Sequence, residues 1–266
     1  MEIIKGIENL KRPFRNPVVT LGNFDGVHLG HQEIFKRVKE EASRIHGEGM
    51  VITFEPHPLK VLAPDKFLPL LTPSRTKMML IQKSGIETVL CIDFSLEFSE
   101  ISPSEFIKSI LVKKIKVREV IIGYNYHFGK GQKGDAQTLT DGGKVFNFEV
   151  AVVEPFRIGQ TVVSSSKIRD LLQRGEVEEA SRLLGRDYPM IGKVVEGAKR
   201  GLTLGFPTAN LEISDELYPK SGVYAVEVEW RQQRLNGLAS VGSNPTFLSE
   251  RNGRGNPVSI EVFILN

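Results

Sequence analysis

Short β-branched runs alternate with amphipathic helical patterns through the first part of the chain, and this alternation constrains the fold most strongly. The runs expected to form strands cover residues 17–22, 50–54, 88–94, 119–123 and 145–153. The clearest helical face between them contains Ile34, Phe35, Val38, Ala42 and Ile45. Strands that alternate with helices predict βαβ units and a parallel sheet covered on both faces.

Two further helices are indicated within this region. Residues 76–83 have a helical pattern. Ser102 precedes Pro103 and is followed three residues later by Glu105, which is the arrangement of an N-cap, a first-turn proline and a capping-box glutamate. The next helix is therefore expected to start at Ser102.

The pattern changes after two short helical stretches at 167–173 and 177–184. Tyr224, Val226, Val228 and Trp230 alternate with polar residues, and the segment 258–264 repeats this period of two. We therefore expect a first domain over residues 1–185 and a small antiparallel β-barrel over 186–266.

Composition restricts the possible partners and the cellular location. The chain has 266 residues, a formal net charge of +3 and no segregated basic domain, which argues against nucleic acid as a partner. Its lone cysteine, Cys91, lies in an apolar run and is expected to be a buried core thiol. With no signal peptide and no long apolar run, the chain is expected to be cytoplasmic and to have no membrane partner. Its oligomeric state stays unknown.

The strongest local motif spans the end of the first strand and the start of the first helix. Its proposed phosphate-binding residues are Gly22, Asn23, Phe24, Asp25 and Gly30. His28 and His31 would lie on one side of the helix start, where they could donate hydrogen bonds to a phosphoryl group during its transfer. The alternatives are that both histidines cap the helix or bind a metal, although no third metal ligand lies nearby in the sequence.

A second polar segment begins the helix expected at 167–173. It contains Ser164, Ser165, Ser166, Lys167 and Arg169. Hydroxyl groups and cations at a helix start can form an anion site for the outer phosphates of a nucleotide. Taken alone, the segment is better explained as a plain helix cap with solvated charges, and the histidines make the anion site the stronger interpretation.

Together these segments resemble a known superfamily. His28-Leu-Gly-His31 is similar to the HxGH signature of nucleotidyltransferases, and the segment 163–169 is similar to their second signature, ISSTxIR. The whole chain resembles the prokaryotic bifunctional riboflavin kinase/FMN adenylyltransferase family. The supporting segments are 22–31, 53–58, 123–135 and 201–210.

This resemblance implies a Rossmann-like domain that transfers AMP from ATP to FMN, giving FAD and pyrophosphate. It also implies a flavin site formed by Phe54, His57, Pro58, Asn125, Phe128 and Gly129. Phe54 could instead belong to the core, His57 could be an ordinary loop residue, and the segment 123–135 could be a mobile glycine-rich loop. Family members often have arginine where His127 stands, so the role of His127 is open.

The resemblance further implies that the second domain is a riboflavin kinase-like barrel that phosphorylates riboflavin to FMN. Thr208 and Asn210 would hold Mg²⁺ with ATP, Glu261 would take the proton of the ribityl hydroxyl, and Lys199 would assist the phosphates. An ordinary turn and an exposed glutamate would give the same sequence. Family members continue for some tens of residues beyond this point, so the C-terminal part of the kinase domain is expected to be missing.

Two other functions remain open. A different HxGH nucleotidyltransferase would share the first two motifs, although it would not explain residues 207–210. A flavin-binding or storage module could use the same pockets without turnover.

Overall fold

The computed structural model describes residues 1–66, 69–196, 207–213, 216–243 and 258–265. It divides into two compact units. The first contains Met1–Leu68 and Thr72–Ser165, and the second contains Pro69–Leu71 and Ser166–Asn266. The expected boundary at 185/186 stays a prediction.

The first unit contains a main sheet, a small hairpin and the helices that surround them. Its strands are β1 (Glu2–Lys5), β2 (Pro17–Leu21), β3 (Glu48–Glu55), β4 (Thr88–Asp93), β5 (Glu119–Gly123), β6 (Glu149–Val153), β7 (Arg157–Ile158) and β8 (Thr161–Val162). Its helices are α1 (Leu29–Arg44), α2 (Pro58–Leu62), α3 (Ser74–Lys83), α4 (Leu96–Ser99), α5 (Pro103–Glu105), which continues as a π-helix (Phe106–Ile115), and α6 (Ala136–Phe146). Short 3₁₀ turns lie at Ile7–Asn9, Pro64–Lys66 and Lys130–Gln132.

The expected parallel sheet is confirmed, with the strand order β1-β4-β3-β2-β5-β6. Alternate residues of each strand enter two separate apolar cores. Leu21, for example, packs in one core and Val18 in the other. The strand order reverses between β2 and β5, and in sheets of this kind ligands bind at such a switch point, beyond the carboxyl ends of the strands.

The local predictions for two helices are confirmed. Ile34, Phe35, Val38 and Ala42 are buried on α1, as the spacing predicts. Ser102 caps α5, because its Oγ accepts a hydrogen bond from the Glu105 N–H at 3.2 Å.

The prediction of one strand over residues 145–153 is wrong. Val145 belongs to α6, and Asn147, with a φ of 62°, ends that helix before β6 begins. Asp135 caps the start of α6 by accepting from the Thr138 N–H at 2.8 Å. Glycine disfavours helices, yet Gly143 is needed here because a Cβ would lie 2.4 Å from the Phe148 carbonyl. The pattern also missed β1.

The second unit consists of two helices and an antiparallel sheet. Its elements are α7 (Ser165–Arg174, whose first residue belongs to the first unit), α8 (Val177–Leu184), β9 (Lys193–Val195), β10 (Ala209–Glu212), β11 (Gly222–Trp230), β12 (Gln233–Ser243) and β13 (Val258–Ile264). The strand order is β11-β12-β13-β10-β9. The antiparallel sheet is thus confirmed, whereas its closure into a barrel stays a prediction.

One face of this sheet forms an apolar core. Ala239, Val241, Ile260 and Val262 are buried, and Tyr224, Val226 and Val228 pack against them as the alternation predicts. Trp230 departs from the pattern: its side chain is about half exposed, and the Arg231 guanidinium lies over its ring at 4.6 Å.

Cys91 is buried on β4 and forms no disulfide, which confirms the expected core thiol. Within the described residues, no helix has both the length and the apolar character needed to cross a membrane.

Candidate active sites

The loop of residues 22–27, here called the signature loop, connects β2 to α1 at the carboxyl edge of the parallel sheet. The Gly22 N–H donates to the Ile52 carbonyl at 3.1 Å, so the loop starts from a fixed strand position. Phe24, Gly26 and Val27 then have positive φ angles of 50°, 89° and 39°. For a side chain other than glycine this backbone region costs roughly 1–3 kcal/mol, so the surrounding contacts must hold the loop in place.

A buried carboxylate holds one side of the signature loop. Asp25 Oδ1 accepts from the Thr72 N–H at 3.0 Å and faces the Thr72 hydroxyl at 3.4 Å. That hydroxyl in turn accepts from the Gly26 N–H at 2.9 Å, and the Ser165 hydroxyl donates to the Asp25 carbonyl at 2.8 Å. Asp25 and Thr72 are both buried. Charge-assisted bonds of this kind are stronger than neutral ones and fix the loop backbone.

A buried lysine holds the other side. Lys77 Nζ donates to the Asn23 carbonyl at 3.3 Å and to the Thr53 hydroxyl at 3.2 Å. Burial lowers the pKa of the Lys77 ammonium, while the nearby Glu55, Cys91 and Asp25 act in the opposite direction.

The two histidines stack at the start of α1. Their ring centroids are 3.6 Å apart and the planes differ by 19°. The expected placement on one side of the turn is therefore confirmed. His28 also caps the helix, because its Nδ1 accepts from the His31 N–H at 3.3 Å. When neutral, His28 then carries its proton on Nε2, which leaves that atom as the donor.

The neighbours of the histidine pair fix the ring positions. A Cβ at Gly30 would lie 3.2 Å from the His28 ring, so glycine permits this close approach. On the other side, the Phe24 ring meets His31 edge-on at 5.2 Å and packs against Phe35 at 4.9 Å. The described part of the chain contains no group of three or more histidine, cysteine, aspartate or glutamate side chains arranged to hold a metal ion.

Ser165 of the second polar segment contacts the signature loop, because its hydroxyl donates to the Asp25 carbonyl. Ser164 precedes it in the first unit, whereas Ser166, Lys167 and Arg169 belong to the second unit. There Lys167 lies 3.6 Å from the Asp170 carboxylate, and Arg169 Nε donates to the Pro69 carbonyl at 3.3 Å. The convergence of Lys167 and Arg169 on the histidines stays a prediction.

Most of the expected flavin residues follow β3 and β5, the two strands that flank β2. After β3, His57 caps α2 by accepting from the Leu59 N–H at 3.2 Å, and Pro58 occupies the first helical position. Phe54 packs partly buried against the core, with Phe94 and Phe98 at ring distances of 5.8 and 6.1 Å. Its core role is thus present, and contact with a flavin stays a prediction.

The loop after β5 is more tightly built than its glycine content indicates. Phe128 is buried against Phe106, and its backbone exchanges two hydrogen bonds with Gly134, each 2.9 Å long. Gly129 has a φ of 71°, and a Cβ there would lie 2.8 Å from Pro103. Asn125 is exposed, and its carbonyl lies 3.1 Å from His127 Nδ1. Asn125 is therefore the most accessible of the three expected flavin residues in this loop.

In the second unit, the expected kinase residues lie on neighbouring strands. Asn210 on β10 is directly opposite Glu261 on β13, and the Thr208 hydroxyl donates to Glu261 Oε2 at 3.3 Å. Ser240 on β12 is opposite Glu261 on its other side. Cross-strand partners lie on the same face of a sheet. Asn210, Ser240 and Glu261 therefore lie on the face that points away from the apolar core. Lys199 lies outside the described residues.

Four polar residues that contact or adjoin the candidate sites were not identified from the sequence. They are Thr53, Thr72, Lys77 and Ser240. Lys77 carried a signal, since it precedes the buried Ile81 by four residues and so lies on the buried face of α3. Ser240 becomes recognisable only from the strand register.

Comparisons with known proteins agree with this two-unit layout. A family model of FAD synthetase matches residues 11–167, and one of riboflavin kinase matches residues 184–266. Bifunctional riboflavin kinase/FMN adenylyltransferase from Escherichia coli K12 is 37% identical over 94% of this chain and 81% of its own length. The protein of that name from Listeria monocytogenes is 40% identical over 94% of this chain and 78% of its own length.

A solved structure from Streptococcus pneumoniae, described as a macrolide-efflux protein, is also similar. It is 33% identical, with a TM-score of 0.87 over all of this chain and 85% of its own. That description differs from those of the curated relatives, which agree with both family models. The two family models together cover most of the chain, and the relatives are matched over about four-fifths of their own length. Both comparisons indicate the same family. The chain belongs to the family of bifunctional riboflavin kinase/FMN adenylyltransferases, and it carries both of that family's transferase domains.

Proposed function

We propose that the first unit transfers AMP from ATP to FMN at the signature loop and the histidine pair. The observation that carries this proposal is the stacked His28 and His31 at the start of a 16-residue helix, beside a fixed loop at the sheet's switch point. Free N–H groups and the helix dipole at such a position favour a phosphate group.

The reaction needs no covalent enzyme intermediate. An FMN phosphate oxygen attacks the α-phosphorus of ATP, the new P–O bond forms, and the bond to the pyrophosphate oxygen breaks. His28 Nε2 and the His31 ring are placed to donate to oxygens on which negative charge increases. Ser165 fixes the loop, while Ser164, Ser166, Lys167 and Arg169 are proposed to bind the outgoing phosphates.

The flavin is proposed to lie beyond the ends of β3 and β5, on either side of β2. His57, Pro58 and Phe54 would contact it from the β3 side. Asn125 would contact it from the β5 side, with Gly129 allowing close approach. These positions would hold the FMN phosphate near the histidine pair, and such orientation of two reactants contributes strongly to the rate.

The second unit is proposed to phosphorylate riboflavin with ATP and Mg²⁺. Its Thr208 hydroxyl and Asn210 amide offer oxygen ligands, which suit a hard cation that also binds phosphates, and the Glu261 carboxylate lies beside them. Bound Mg²⁺ would neutralise charge on the transferred phosphoryl group. Glu261 would accept the ribityl hydroxyl proton as that oxygen attacks the γ-phosphorus and ADP leaves.

The substrates are small molecules, and we propose that neither nucleic acid nor a membrane is a partner. The near balance of charge and the single unpaired Cys91 support this proposal and a cytoplasmic location.

Incubation of the purified chain with FMN, ATP and Mg²⁺ tests the first activity. Formation of FAD and pyrophosphate in equal amounts is the expected result. Tight FMN binding without product would instead indicate a flavin-storage module, and no interaction with FMN would indicate another nucleotidyltransferase. Replacing FMN by riboflavin tests the kinase, which should form FMN and ADP only when Mg²⁺ is present.

A further inference from the structure

Lys77 is a buried cation that the proposed chemistry does not use. Its side chain is on α3, which lies outside both signature motifs, and the residue is only 5% exposed. Removing an ammonium group from water is costly, and a methionine could fill a similar volume without that cost. Packing alone therefore does not explain why a lysine occupies this position.

The contacts of Lys77 supply that reason. Its ammonium donates to the Asn23 carbonyl, which belongs to the signature loop, and to the Thr53 hydroxyl, which belongs to β3. The Thr53 hydroxyl itself lies 3.4 Å from the same Asn23 carbonyl. The ammonium thus connects the loop after β2 with the strand that leads to Phe54 and His57.

The loop needs such a constraint at this point. Asn23 immediately precedes Phe24, whose φ is positive and whose ring contacts His31. A change in the Asn23–Phe24 peptide would therefore move the Phe24 ring and with it the support of His31. The bonds between Thr72 and the loop involve Asp25 and Gly26, so they fix the loop only from Asp25 onward.

The charge of Lys77 is also suited to the reaction. A buried charge is poorly screened by solvent. The Lys77 ammonium therefore attracts negative charge of a phosphate bound at the signature loop. Described carboxylates lie beyond ion-pair distance of Lys77. Its charge is therefore not cancelled by direct contact with an acid.

We propose that Lys77 is a positioning residue for adenylyl transfer, which holds the Asn23 carbonyl and the Thr53 hydroxyl so that Phe24 keeps His31 in its reactive position. This inference rests on the proposed function of the first unit. It assigns to Lys77 no contact with substrate.

The test compares Lys77→Met with Lys83→Met, which removes an exposed lysine from the same helix. FAD formation from FMN and MgATP is measured over a range of ATP concentrations, and the thermal midpoint is measured in parallel. Misplacement of reacting groups by about 1 Å can cost about a hundredfold. We expect kcat to fall about tenfold to a hundredfold in Lys77→Met while KM for ATP changes less than about threefold.

The control should retain the kcat of the unmodified chain. If Lys77→Met keeps full kcat per folded molecule and only its thermal midpoint falls, the lysine is merely structural and the inference is wrong. A rise in KM with unchanged kcat would contradict it as well. If the unmodified chain itself forms no FAD, the proposed function fails first, so the two failures are distinguishable.

A second, milder variant decides the matter if Lys77→Met does not fold. Thr53→Val keeps the shape of the side chain and removes one of the two acceptors of Lys77. Its kcat should fall about threefold to tenfold, because Lys77 keeps only the Asn23 carbonyl as an acceptor and holds the loop less firmly. Unchanged kcat in a folded Thr53→Val variant would overturn the proposal.

Discussion

The two candidate sites are built in different ways. In the first unit, the histidine pair follows a loop with three positive φ angles, and the buried side chains of Asp25, Thr72 and Lys77 hold that loop. In the second unit, Asn210, Ser240 and Glu261 lie on adjacent strands, whose backbone pairing alone sets their spacing. A loop-built site therefore depends on distant side chains, whereas a strand-built site depends mainly on the ladder.

This difference predicts how each site responds to substitution. A change beneath the signature loop should affect both stability and FAD formation. A change on the polar face of the antiparallel sheet should affect catalysis alone.

The largest effect is expected for Glu261→Gln. The amide cannot take a proton, and loss of a general base typically costs about 10²–10⁴-fold in rate. FMN formation from riboflavin should fall by that factor, while the thermal midpoint and FAD formation from FMN stay unchanged. Glu229→Gln, an exposed change on β11 of the same sheet, is the matched control. Retention of kinase activity in Glu261→Gln would exclude the assigned proton transfer.

A smaller effect, on two properties at once, is expected for Asp25→Ala. The variant leaves the buried Thr72 N–H and hydroxyl without their carboxylate partner, which costs about 1–3 kcal/mol in the free energy of unfolding. FAD formation should fall as well, because the same carboxylate fixes the loop. Urea unfolding and the FAD assay measure the two losses, with the exposed Asp65→Asn as control. Full FAD formation in Asp25→Ala would show that the loop does not need this clamp.

Gly30→Ala should lower FAD formation without lowering stability. Alanine favours a helix by up to about 1 kcal/mol over glycine, so the thermal midpoint should not fall. The new Cβ would lie 3.2 Å from the His28 ring and displace it, and FAD formation should fall several-fold. FMN formation by the second unit serves as the internal control. Full FAD formation would mean that the ring position tolerates this shift.

The smallest effect is expected at the opposite edge of the parallel sheet, where Glu119 begins β5. Burial, together with the hydrogen bond and the charge of Glu41, raises the pKa of Glu119 to about 7. Glu149 acts in the same direction, and Arg44 opposes it. Because the folded state binds this proton more tightly than the unfolded state, the associated stability is full below pH 4.5 and is lost as pH rises through about 7.

Glu119→Gln should remove that pH dependence without changing FAD formation. Thermal midpoints measured from pH 4.5 to 8.5 should fall less steeply towards high pH in the variant than in the unmodified chain. An identical slope in both would show that Glu119 does not titrate in this range.

Much of the fold follows from periodicity, and the exceptions have physical reasons. The parallel strands and the buried face of α1 were predictable because burial on both sides of a sheet leaves continuous β-branched runs. Helix α6 was missed because Gly142 and Gly143 weaken its helical signal, although close packing against Ile107 and Phe148 requires them. The edge strand β1 is short and mostly exposed, so it has no such run.

The candidate sites were predictable to a different extent. The histidine pair was recognisable from spacing and from resemblance to a family, whereas Thr208, Asn210 and Glu261 were recognisable from the resemblance alone. The residues beneath the signature loop were not, because Thr53, Thr72 and Lys77 lie far from it along the chain and meet it only through the fold. Sequence motifs identify candidate site residues, and the structure adds the side chains that contact them.

The most direct test of the central claim is His31→Ala, assayed with riboflavin, ATP and Mg²⁺ while FMN and FAD are followed in the same sample. Loss of one preorganised donor typically costs about 10²–10³-fold. FAD formation should fall by that amount while riboflavin is phosphorylated at the rate of the unmodified chain, so that FMN accumulates. FAD formation at the full rate would show that the histidine pair does not carry out the adenylyl transfer.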